Sequence, residues 1–202
     1  MLLYGGSGHA KVIIDCLLAN GLPVQGIFDD NRALVSLLHF PVIGPYEKDY
    51  LPLEELIVSI GNNVIRKKAA QNIRHIFGKV VHPTALLSTF ASVKEGTVVF
   101  HYSVIQAGAI IGKHCIINTS ASIDHDCELE DFVHISPNAT LSGNVKVGEG
   151  THIGAGATVI QGITIGKWCT IGAGAVVIRN VPDYATVVGV PAKIIKIKPE
   201  SA

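Results

Sequence analysis

The segment Asp124-His125-Asp126 places a histidine between two carboxylates. A free imidazole has a pKa of about 6.5, so His125 suits a general base at neutral pH. Asp126 can orient the ring and raise its basicity if a turn separates the two residues, because consecutive strand residues point to opposite faces. His125 stands two residues after Ile123, a predicted inward position, so we expect it near the surface. Asn118 is a candidate polar contact in the same region.

A glycine-rich turn, Gly5-Gly6-Ser7-Gly8-His9, separates a first apolar run from a segment of helical periodicity over residues 10–19. Backbone N–H groups at such a helix start can hold a phosphate. Asp29 and Asp30 end a second apolar run, where they can accept hydrogen bonds from a ribose or a base. Lys11 stands where a dinucleotide fingerprint has its third glycine, so the turn indicates a nucleotide or nucleotide-sugar site rather than NAD chemistry.

A six-residue repeat fixes the framework that carries these residues. Every sixth residue from Val81 to Val177 is Ile, Leu or Val, and the residue two positions earlier is mostly small. Each hexad predicts a short strand with alternate inward side chains, followed by a turn. Three strands make a coil of about 18 residues, and stacked coils share one core. Cys115, Cys127 and Cys169 occupy the small inward position, which predicts core residues rather than metal ligands or nucleophiles.

The first eighty residues have a different pattern. Apolar runs at 1–4, 24–28 and 56–60 alternate with helical patterns at 10–19 and 64–77, which is typical of a βαβ arrangement. We therefore predict a small Rossmann-like α/β domain over residues 1–79 and a parallel β-helix over 80–182. A C-terminal tail follows at 183–202.

The composition excludes several classes of protein. Sixteen Lys and Arg balance sixteen Asp and Glu, which argues against a nucleic-acid binder and against a polybasic membrane anchor. No apolar run approaches the roughly 18 residues of a membrane-spanning helix, and the N-terminus lacks the charged region of a signal peptide. We expect a cytoplasmic protein without membrane insertion. Only 16% of residues are charged and 21 are glycine, which indicates a turn-rich, oligomeric fold.

Several motifs together resemble the NeuD/PglD family of bacterial sugar acetyltransferases. They are the Tyr-Gly-Gly-Ser-Gly-His opening, Ile-Gly-Asn-Asn at 60–63, the hexads with Asn118-Thr119, Asp124-His125-Asp126 and His134-Ile135-Ser136-Pro137, and the closing Gly-Val-Pro-Ala-Lys at 189–193. The resemblance implies a left-handed β-helix and a homotrimer. It also implies that acetyl-CoA lies in the groove between neighbouring β-helices and that the N-terminal domain binds a nucleotide-linked amino sugar.

The resemblance also implies roles for individual residues. His134 would contact acetyl-CoA, Ala155 and Ala173 would line the CoA channel through their backbone groups, and Lys193 belongs to the closing motif on the cofactor side. Ser7, Gly8 and His9 match the phosphate turn, and Asp29, Asp30 and Gly61 match the sugar-nucleotide contacts. The catalytic set is His125, Asp126 and Asn118. The backbone N–H of Gly143, one coil beyond His125, is the candidate oxyanion donor. No metal is expected.

Alternative functions remain open on the sequence. The leading acceptor is the amine of a UDP-linked 4-amino-4,6-dideoxy sugar, with a GDP-linked perosamine-type sugar or O-acetylation of sialic acid as alternatives. A zinc carbonic anhydrase with three histidines on the same β-helix is one rival, and a trimeric binding protein without turnover is another. His152 should stack on His134 as a structural residue, because it follows 18 residues later. Trp168 should pack at a coil edge, with stacking on an adenine as the alternative.

Overall fold

A computed structural model describes residues 1–199 of the chain. Its N-terminal part contains β1 (Leu2–Tyr4), α1 (Gly8–Ala19), β2 (Gly26–Phe28), β3 (Ser36–Leu37), β4 (Phe40–Gly44), β5 (Leu56–Val58) and α2 (Asn63–Asn72). The strands form one sheet in the order β3-β4-β2-β1-β5, in which β1 runs parallel to both β2 and β5. The predicted βαβ arrangement is therefore confirmed. Residues 30–55, which carry no periodic pattern, add the antiparallel pair β3 and β4 at the sheet edge.

The two helices begin and end for different reasons. Helix α1 buries a stripe of apolar residues at helical spacing, Ala10, Ile13, Ile14 and Leu17, against the sheet. Helix α2 is capped by Asn62, whose side chain accepts a hydrogen bond from the Ile65 N–H group at 3.0 Å. The predicted continuation of this helix to residue 77 is wrong. Ile73 turns into extended backbone and is buried in the core, and Phe77 then bridges to Leu56 of β5.

Short strands and turns make up residues 80–199. The strands are β6 (Val80–Val81), β7 (Leu86–Leu87), β8 (Ser92–Val93), β9 (Val98–Val99), β10 (Val104–Ile105), β11 (Ile110–Ile111), β12 (Ile116–Ile117), β13 (Ser122–Ile123), β14 (Glu128–Leu129), β15 (His134–Ile135), β16 (Thr140–Leu141), β17 (Lys146–Val147), β18 (His152–Ile153), β19 (Thr158–Val159), β20 (Thr164–Ile165), β21 (Thr170–Ile171), β22 (Val176–Val177), β23 (Ala185–Val188) and β24 (Lys193–Ile197).

These strands stack into the three sheets of a parallel β-helix. We call the first sheet the covered face, and it holds β6, β9, β12, β15, β18, β21, β23 and β24. We call the second sheet the uncharged face, and it holds β7, β10, β13, β16, β19 and β22. We call the third sheet the charged face, and it holds β8, β11, β14, β17 and β20. Paired residues are 18 apart, as Ser122 opposite Val104 shows (122 − 104 = 18). The sequence repeat therefore becomes a structural repeat, and any corner position recurs one coil later.

The hexad aliphatic residues form the core as predicted. Those from Val93 to Val177 are all buried in one hydrophobic cluster. Leu87, also predicted to face inward, is 38% exposed because it lies in the first coil, with one neighbouring coil only. Cys115, Cys127 and Cys169 are buried as predicted, and burial raises the pKa of the Cys115 thiol to about 12.

The N-terminal part packs on the first rungs of the covered face. Val80, Val98 and Ile116, the outward residues of β6, β9 and β12, join one hydrophobic cluster with Leu3 and with Ile13 of α1. The two parts of the chain therefore share a core. At the other end of this face, β23 pairs with β21 and β24 folds back on β23, so the predicted tail extends the sheet as far as Ile197. Residues 200–202 of that tail lie outside the described residues.

Across residues 1–199, neither helix combines the length and apolarity that crossing a membrane requires.

Candidate functional site

His125 and Asp126 form a hydrogen-bonded pair at the corner that follows β13. Asp126 adopts a left-handed backbone conformation, with φ of 58°, so the two consecutive side chains turn toward each other. The Asp126 Oδ2 atom lies 2.8 Å from the His125 Nδ1 atom. This carboxylate, together with the charge of Asp124, raises the pKa of His125 above its ordinary value. With the proton held on Nδ1, the Nε2 lone pair is free to accept a proton.

Gly143 lies against the open edge of this imidazole. A Cβ atom on residue 143 would stand 2.6 Å from both the Nε2 and Cε1 atoms of His125, so the ring occupies the space that a side chain would take. The Asn144 N–H group donates to the His125 carbonyl at 2.9 Å, and this hydrogen bond holds the two coils in register here. The His125 side chain is 60% exposed, so a substrate can approach its Nε2 atom from outside the chain. We call residues 107–108, 125–126 and 143–144 the His125 corner.

Asn118 belongs to a different group from the one predicted. Its Nδ2 atom lies 3.2 Å from the His134 Nε2 atom, on the covered face, rather than beside His125. The reason is topological: Asn118 follows β12 and His125 follows β13, so they occupy successive corners of one coil. His134 and Gly61 line one cavity of about 380 Å³. The chain therefore brings together a wall of Asn118, His134, Gly61 and His9, whose ring centroid is 6.4 Å from that of His134.

The histidines of this wall are neutral at pH 7. Burial lowers the pKa of His134 to about 2 and that of His9 to about 4. Such rings act as hydrogen-bonding groups rather than as bases. The Nε2 atom of His9 is buried and has no hydrogen-bond partner among the described residues.

Two further residues of this region lie where the repeat predicts, and both line the cavity of Gly61 and His134. The His152 ring stacks on His134 with centroids 4.7 Å apart, and its Nε2 atom lies 2.7 Å from the Ser136 hydroxyl. Trp168 packs over Gly150 at the coil edge, and the Lys67 amine lies 5.2 Å from its ring centroid. Within residues 1–199, no cluster of three or more His, Cys, Asp and Glu side chains is arranged to hold a metal ion.

The two aspartates after β2 have different partners. Asp29 accepts hydrogen bonds from the Gly6 N–H group at 2.6 Å and the Asn31 N–H group at 2.8 Å, so it shapes the glycine turn. Asp30 accepts the Tyr4 hydroxyl at 2.8 Å on one oxygen only. Its second oxygen is available to a ligand. Of the two candidates, Asp30 is therefore the better placed to bind a nucleotide.

A cleft of about 300 Å³ opens at the carboxyl ends of β1, β2 and β5. Open α/β sheets bind ligands at this position, where the strand order reverses. Ser7 and Gly8 are exposed at the start of α1, and the Ser7 side chain does not cap the helix, which leaves the N–H groups of the first turn to a phosphate.

Seven of the nine residues that line this cleft are not among the predicted site residues, and three of the seven have polar side chains: Tyr4, Lys68 and Asn72. Ile65, Lys68, Ala69 and Asn72 are spaced three to four residues apart and lie on one face of α2. That spacing, after a strand that ends in glycine, was the available signal.

The predicted cofactor residues lie at another edge of the β-helix. Ala155 and Ala173 are exposed and stack at the corner between the covered and uncharged faces, with the Gly174 N–H group donating to the Ala155 carbonyl at 2.8 Å. We call residues 119–120, 137–138, 155–156 and 173–174 the Ala155 corner. Lys193 is exposed at the start of β24. Each strand of the uncharged face runs from the Ala155 corner to the His125 corner. Within one chain, this face therefore separates the predicted cofactor residues Ala155 and Ala173 from the pair of His125 and Asp126.

Comparisons with known proteins agree with this architecture. Residues 1–73 match the PglD N-terminal domain model, and residues 126–161 and 144–179 match the bacterial transferase hexapeptide model of six repeats. PerB of Caulobacter crescentus, solved with CoA and GDP-perosamine, is 39% identical, with a TM-score of 0.92 and 96% of each chain covered. The acetyltransferase domain of PglB from Neisseria gonorrhoeae is also 39% identical, with a TM-score of 0.89 over 96% of this chain and 98% of that one.

A curated relative, the GDP-perosamine N-acetyltransferase of Escherichia coli O157:H7, is 30% identical over 148 residues, which are 70% of this chain. The chain spans 60% of that relative's length. Identity and coverage across the two solved structures, with matched models for both parts, establish the relationship. The chain belongs to the NeuD/PglD-like family of hexapeptide-repeat sugar acetyltransferases.

Proposed function

We propose that the chain is a cytoplasmic, homotrimeric N-acetyltransferase that transfers the acetyl group of acetyl-CoA to the 4-amino group of a nucleotide-linked 4-amino-4,6-dideoxy sugar. The observation that carries the proposal is the His125–Asp126 pair, whose free Nε2 atom faces Gly143. The relatives named for GDP-perosamine support GDP as the carrier nucleotide, in place of the UDP that was our leading expectation.

In the proposed reaction, the neutral acceptor amine attacks the thioester carbonyl of acetyl-CoA. The His125 Nε2 atom takes the amine proton as the carbon–nitrogen bond forms, and Asp126 stabilises the resulting imidazolium. The Gly143 N–H group donates to the oxyanion of the tetrahedral intermediate. The carbon–sulfur bond then breaks, and His125 returns the proton to the leaving sulfur. The products are the acetamido sugar and free CoA.

The surface of the β-helix supports the oligomeric state. The covered face is occupied by the N-terminal part, and the charged face carries the Glu128–Lys146 ion pair at 3.0 Å. The uncharged face presents only apolar, serine and threonine side chains at its outward positions: Leu86, Val104, Ser122, Thr140, Thr158 and Val176. Beside its first strand, Phe90 and Tyr102 are 81% and 67% exposed. Apolar patches of this kind mark interaction sites.

Association through this face also completes the site. When copies meet around a three-fold axis with their uncharged faces inward, the His125 corner of one chain lies next to the Ala155 corner of its neighbour. The acceptor, bound by the wall of His9, Gly61 and His134, then meets the base of another chain. The separation of the two sets within one chain therefore supports a shared site.

The test is release of free thiol from acetyl-CoA with four acceptor conditions: a GDP-linked 4-amino sugar, a UDP-linked 4-amino sugar, free sialic acid, and none. We expect turnover with the GDP-linked amine. Turnover with the UDP-linked amine alone would reassign the nucleotide, and turnover with sialic acid alone would change the reaction to O-acetylation. If no acceptor supports turnover, the binding-protein alternative is favoured. Stoichiometric zinc in the purified protein, with activity lost when a chelator removes it, would indicate the carbonic anhydrase alternative.

A further inference from the structure

Arg66 of α2 is among the largest fully buried side chains, at 1% relative exposure. Two of its N–H groups reach the β-helix: the Nε atom donates to the His114 carbonyl at 2.9 Å and the Nη2 atom to the Phe132 carbonyl at 3.0 Å. These two carbonyls lie at the same corner of successive coils, 18 residues apart (132 − 114 = 18). One edge of the guanidinium therefore spans two successive coils.

The other edge binds the loop that follows β5. The Nη1 atom donates to the Ile60 carbonyl at 3.0 Å and the Gly61 carbonyl at 3.2 Å. The Nη2 atom also donates to the Asn63 side-chain oxygen at 2.8 Å. We call residues 60–63 the acceptor loop. All five N–H donors of Arg66 are thus directed at neutral oxygen atoms, three of them in this loop.

Such an arrangement is costly to build and specific in geometry. A buried charge without a carboxylate partner has a large desolvation cost, and an apolar side chain often fills such a position with equal or greater stability. Burial lowers the pKa of Arg66 to about 10, so the group is still cationic at neutral pH. Only a planar fork with five donors can satisfy five acceptors at once, which lysine cannot do. The residue therefore serves geometry more than stability.

The acceptor loop is where the two halves of the candidate site meet. A Cβ atom on residue 61 would stand 3.8 Å from the His9 ring, and Gly61 lines a cavity together with His134 of the β-helix. Ile60 lines the nucleotide cleft, as do Ile65 and Lys68 of α2, the helix that carries Arg66. Any shift of this loop would move the cleft relative to His134.

We propose that Arg66 is a positioning residue for the acceptor: it fixes the acceptor loop on two coils of the β-helix and so sets the distance from the nucleotide cleft to the wall at His134. The role rests on the function proposed above. It predicts that loss of the guanidinium impairs use of the nucleotide sugar more than use of acetyl-CoA. Of the predicted cofactor residues, His134 lies beside the acceptor loop, whereas Ala155 and Ala173 lie at the Ala155 corner.

The first experiment compares Arg66→Met and Arg66→Lys in steady-state kinetics with each substrate varied. Arg66→Met leaves five buried oxygen acceptors without their donors, which allows the acceptor loop to shift. We therefore expect kcat/KM for the nucleotide sugar to fall by about 100-fold in Arg66→Met and less in Arg66→Lys. The KM for acetyl-CoA should stay within about twofold, and added methylguanidinium should restore part of the activity of Arg66→Ala.

Lys67→Gln is the matched control. Lys67 is the next residue of α2 and forms an ion pair with Glu149 of the β-helix at 2.6 Å, without contacting the acceptor loop. Its variant should leave both KM values unchanged. Equal losses for the two substrates in Arg66→Met, or an unchanged kcat/KM for the nucleotide sugar, would overturn the proposal.

A second measurement does not depend on turnover or on Arg66→Met folding. In Arg66→Lys, which keeps the charge but cannot satisfy all five acceptors, amide hydrogen exchange at residues 60–65 should accelerate while exchange in β15 and β18 stays as in the wild type. Unchanged exchange in the loop would contradict the positioning role. If the loop loosens but no nucleotide amino sugar is acetylated by the wild type, then the proposed function fails while the structural role of Arg66 stands.

Discussion

The imidazole of His125 covers Gly143 so closely that a Cβ atom there would lie 2.6 Å from the Nε2 atom. The φ angle of Gly143 is outside the left-handed region, so the backbone accepts alanine, and the contact with the ring is the main obstacle. Glycine at this position therefore serves the orientation of the base.

Gly143→Ala should displace the ring from its bond to Asp126 and lower kcat by about 100-fold, because general-base catalysis contributes 10²–10⁴-fold and needs a positioned base. The thermal midpoint should change little, since His125 is exposed. Gln161→Ala, at the same corner one coil further, is the control and should keep full activity. An active Gly143→Ala enzyme would show that the ring does not act from this position.

His125→Ala should lower kcat by about 10²–10⁴-fold at pH 7 with KM for acetyl-CoA within about twofold, because a base contributes to the transition state rather than to cofactor binding. His39→Asn, at the exposed turn between β3 and β4, should behave as the wild type. Retained turnover in His125→Ala would remove the base assignment.

Asp126→Asn should shift the pH profile in a defined direction. The Asp126 carboxylate raises the pKa of His125, and the base works only when unprotonated. Its loss therefore moves the acid limb of kcat/KM to lower pH, while a weaker base lowers the plateau. Asparagine tolerates the left-handed backbone at this position, so the fold is preserved. If the acid limb of kcat/KM does not move, then Asp126 does not set the pKa of the group that the limb reports.

If the proposed trimer forms through the uncharged face, Thr158→Glu should dissociate it and abolish activity, because the substitution buries a charge there. Thr164→Glu is the matched control: its side chain points outward from β20 on the charged face, one strand along the chain. Light scattering would report the mass of each variant, and thiol release the activity. An active monomer of Thr158→Glu would contradict a site shared between chains.

His114→Phe should flatten the acid dependence of stability. The His114 ring stacks on Phe132 and meets Phe77 edge-on, and burial lowers its pKa to about 4. Protonation is therefore favoured in the unfolded chain, and stability falls as the pH drops from about 6.5 to 4, by about 3 kcal/mol from this group.

The measurement for His114→Phe is the urea midpoint at a series of pH values and one protein concentration. The variant should lose less stability than the wild type between pH 6.5 and 4 and should be at least as stable at pH 7, because the unpartnered Nδ1 atom disappears. Phe132 and Trp168 adopt a similar positive φ at equivalent corners, so an aromatic residue fits the backbone. Parallel curves for the two proteins would refute the assignment.

The β-helix was predictable because its six-residue repeat continues without interruption from Val81 to Val177. A single register of aliphatic residues specifies the core, and adding 18 to a position finds its neighbour in the next coil, as with His125 and Gly143. The N-terminal sheet was predictable where apolar runs alternate with helical spacing. The end of α2 was not, because Ile73 leaves the helix for tertiary packing while the helical periodicity of the chain continues.

The site was predictable in its residue types and less so in its grouping. Asn118 and His125 are close in sequence, yet a corner of the coil separates them. The run Arg66-Lys67-Lys68 reads as one basic, solvated stretch. In the structure, Arg66 is buried, Lys67 pairs with Glu149, and Lys68 lines the cleft. Helical rotation gives neighbouring residues different surroundings, and only the docked partner decides what those are.

The number of strands on the covered face between the α/β part and His134 sets the distance from the nucleotide cleft to His134. The α/β part covers the rungs of Val80, Val98 and Ile116, and His134 is the next rung along. Neighbouring strands are about 4.8 Å apart, so gain or loss of a whole coil between the nucleotide cleft and His134 would change the distance between them by about that length. Selection for a longer or shorter acceptor would therefore act on coil number, while smaller adjustments are left to the side chains at each rung.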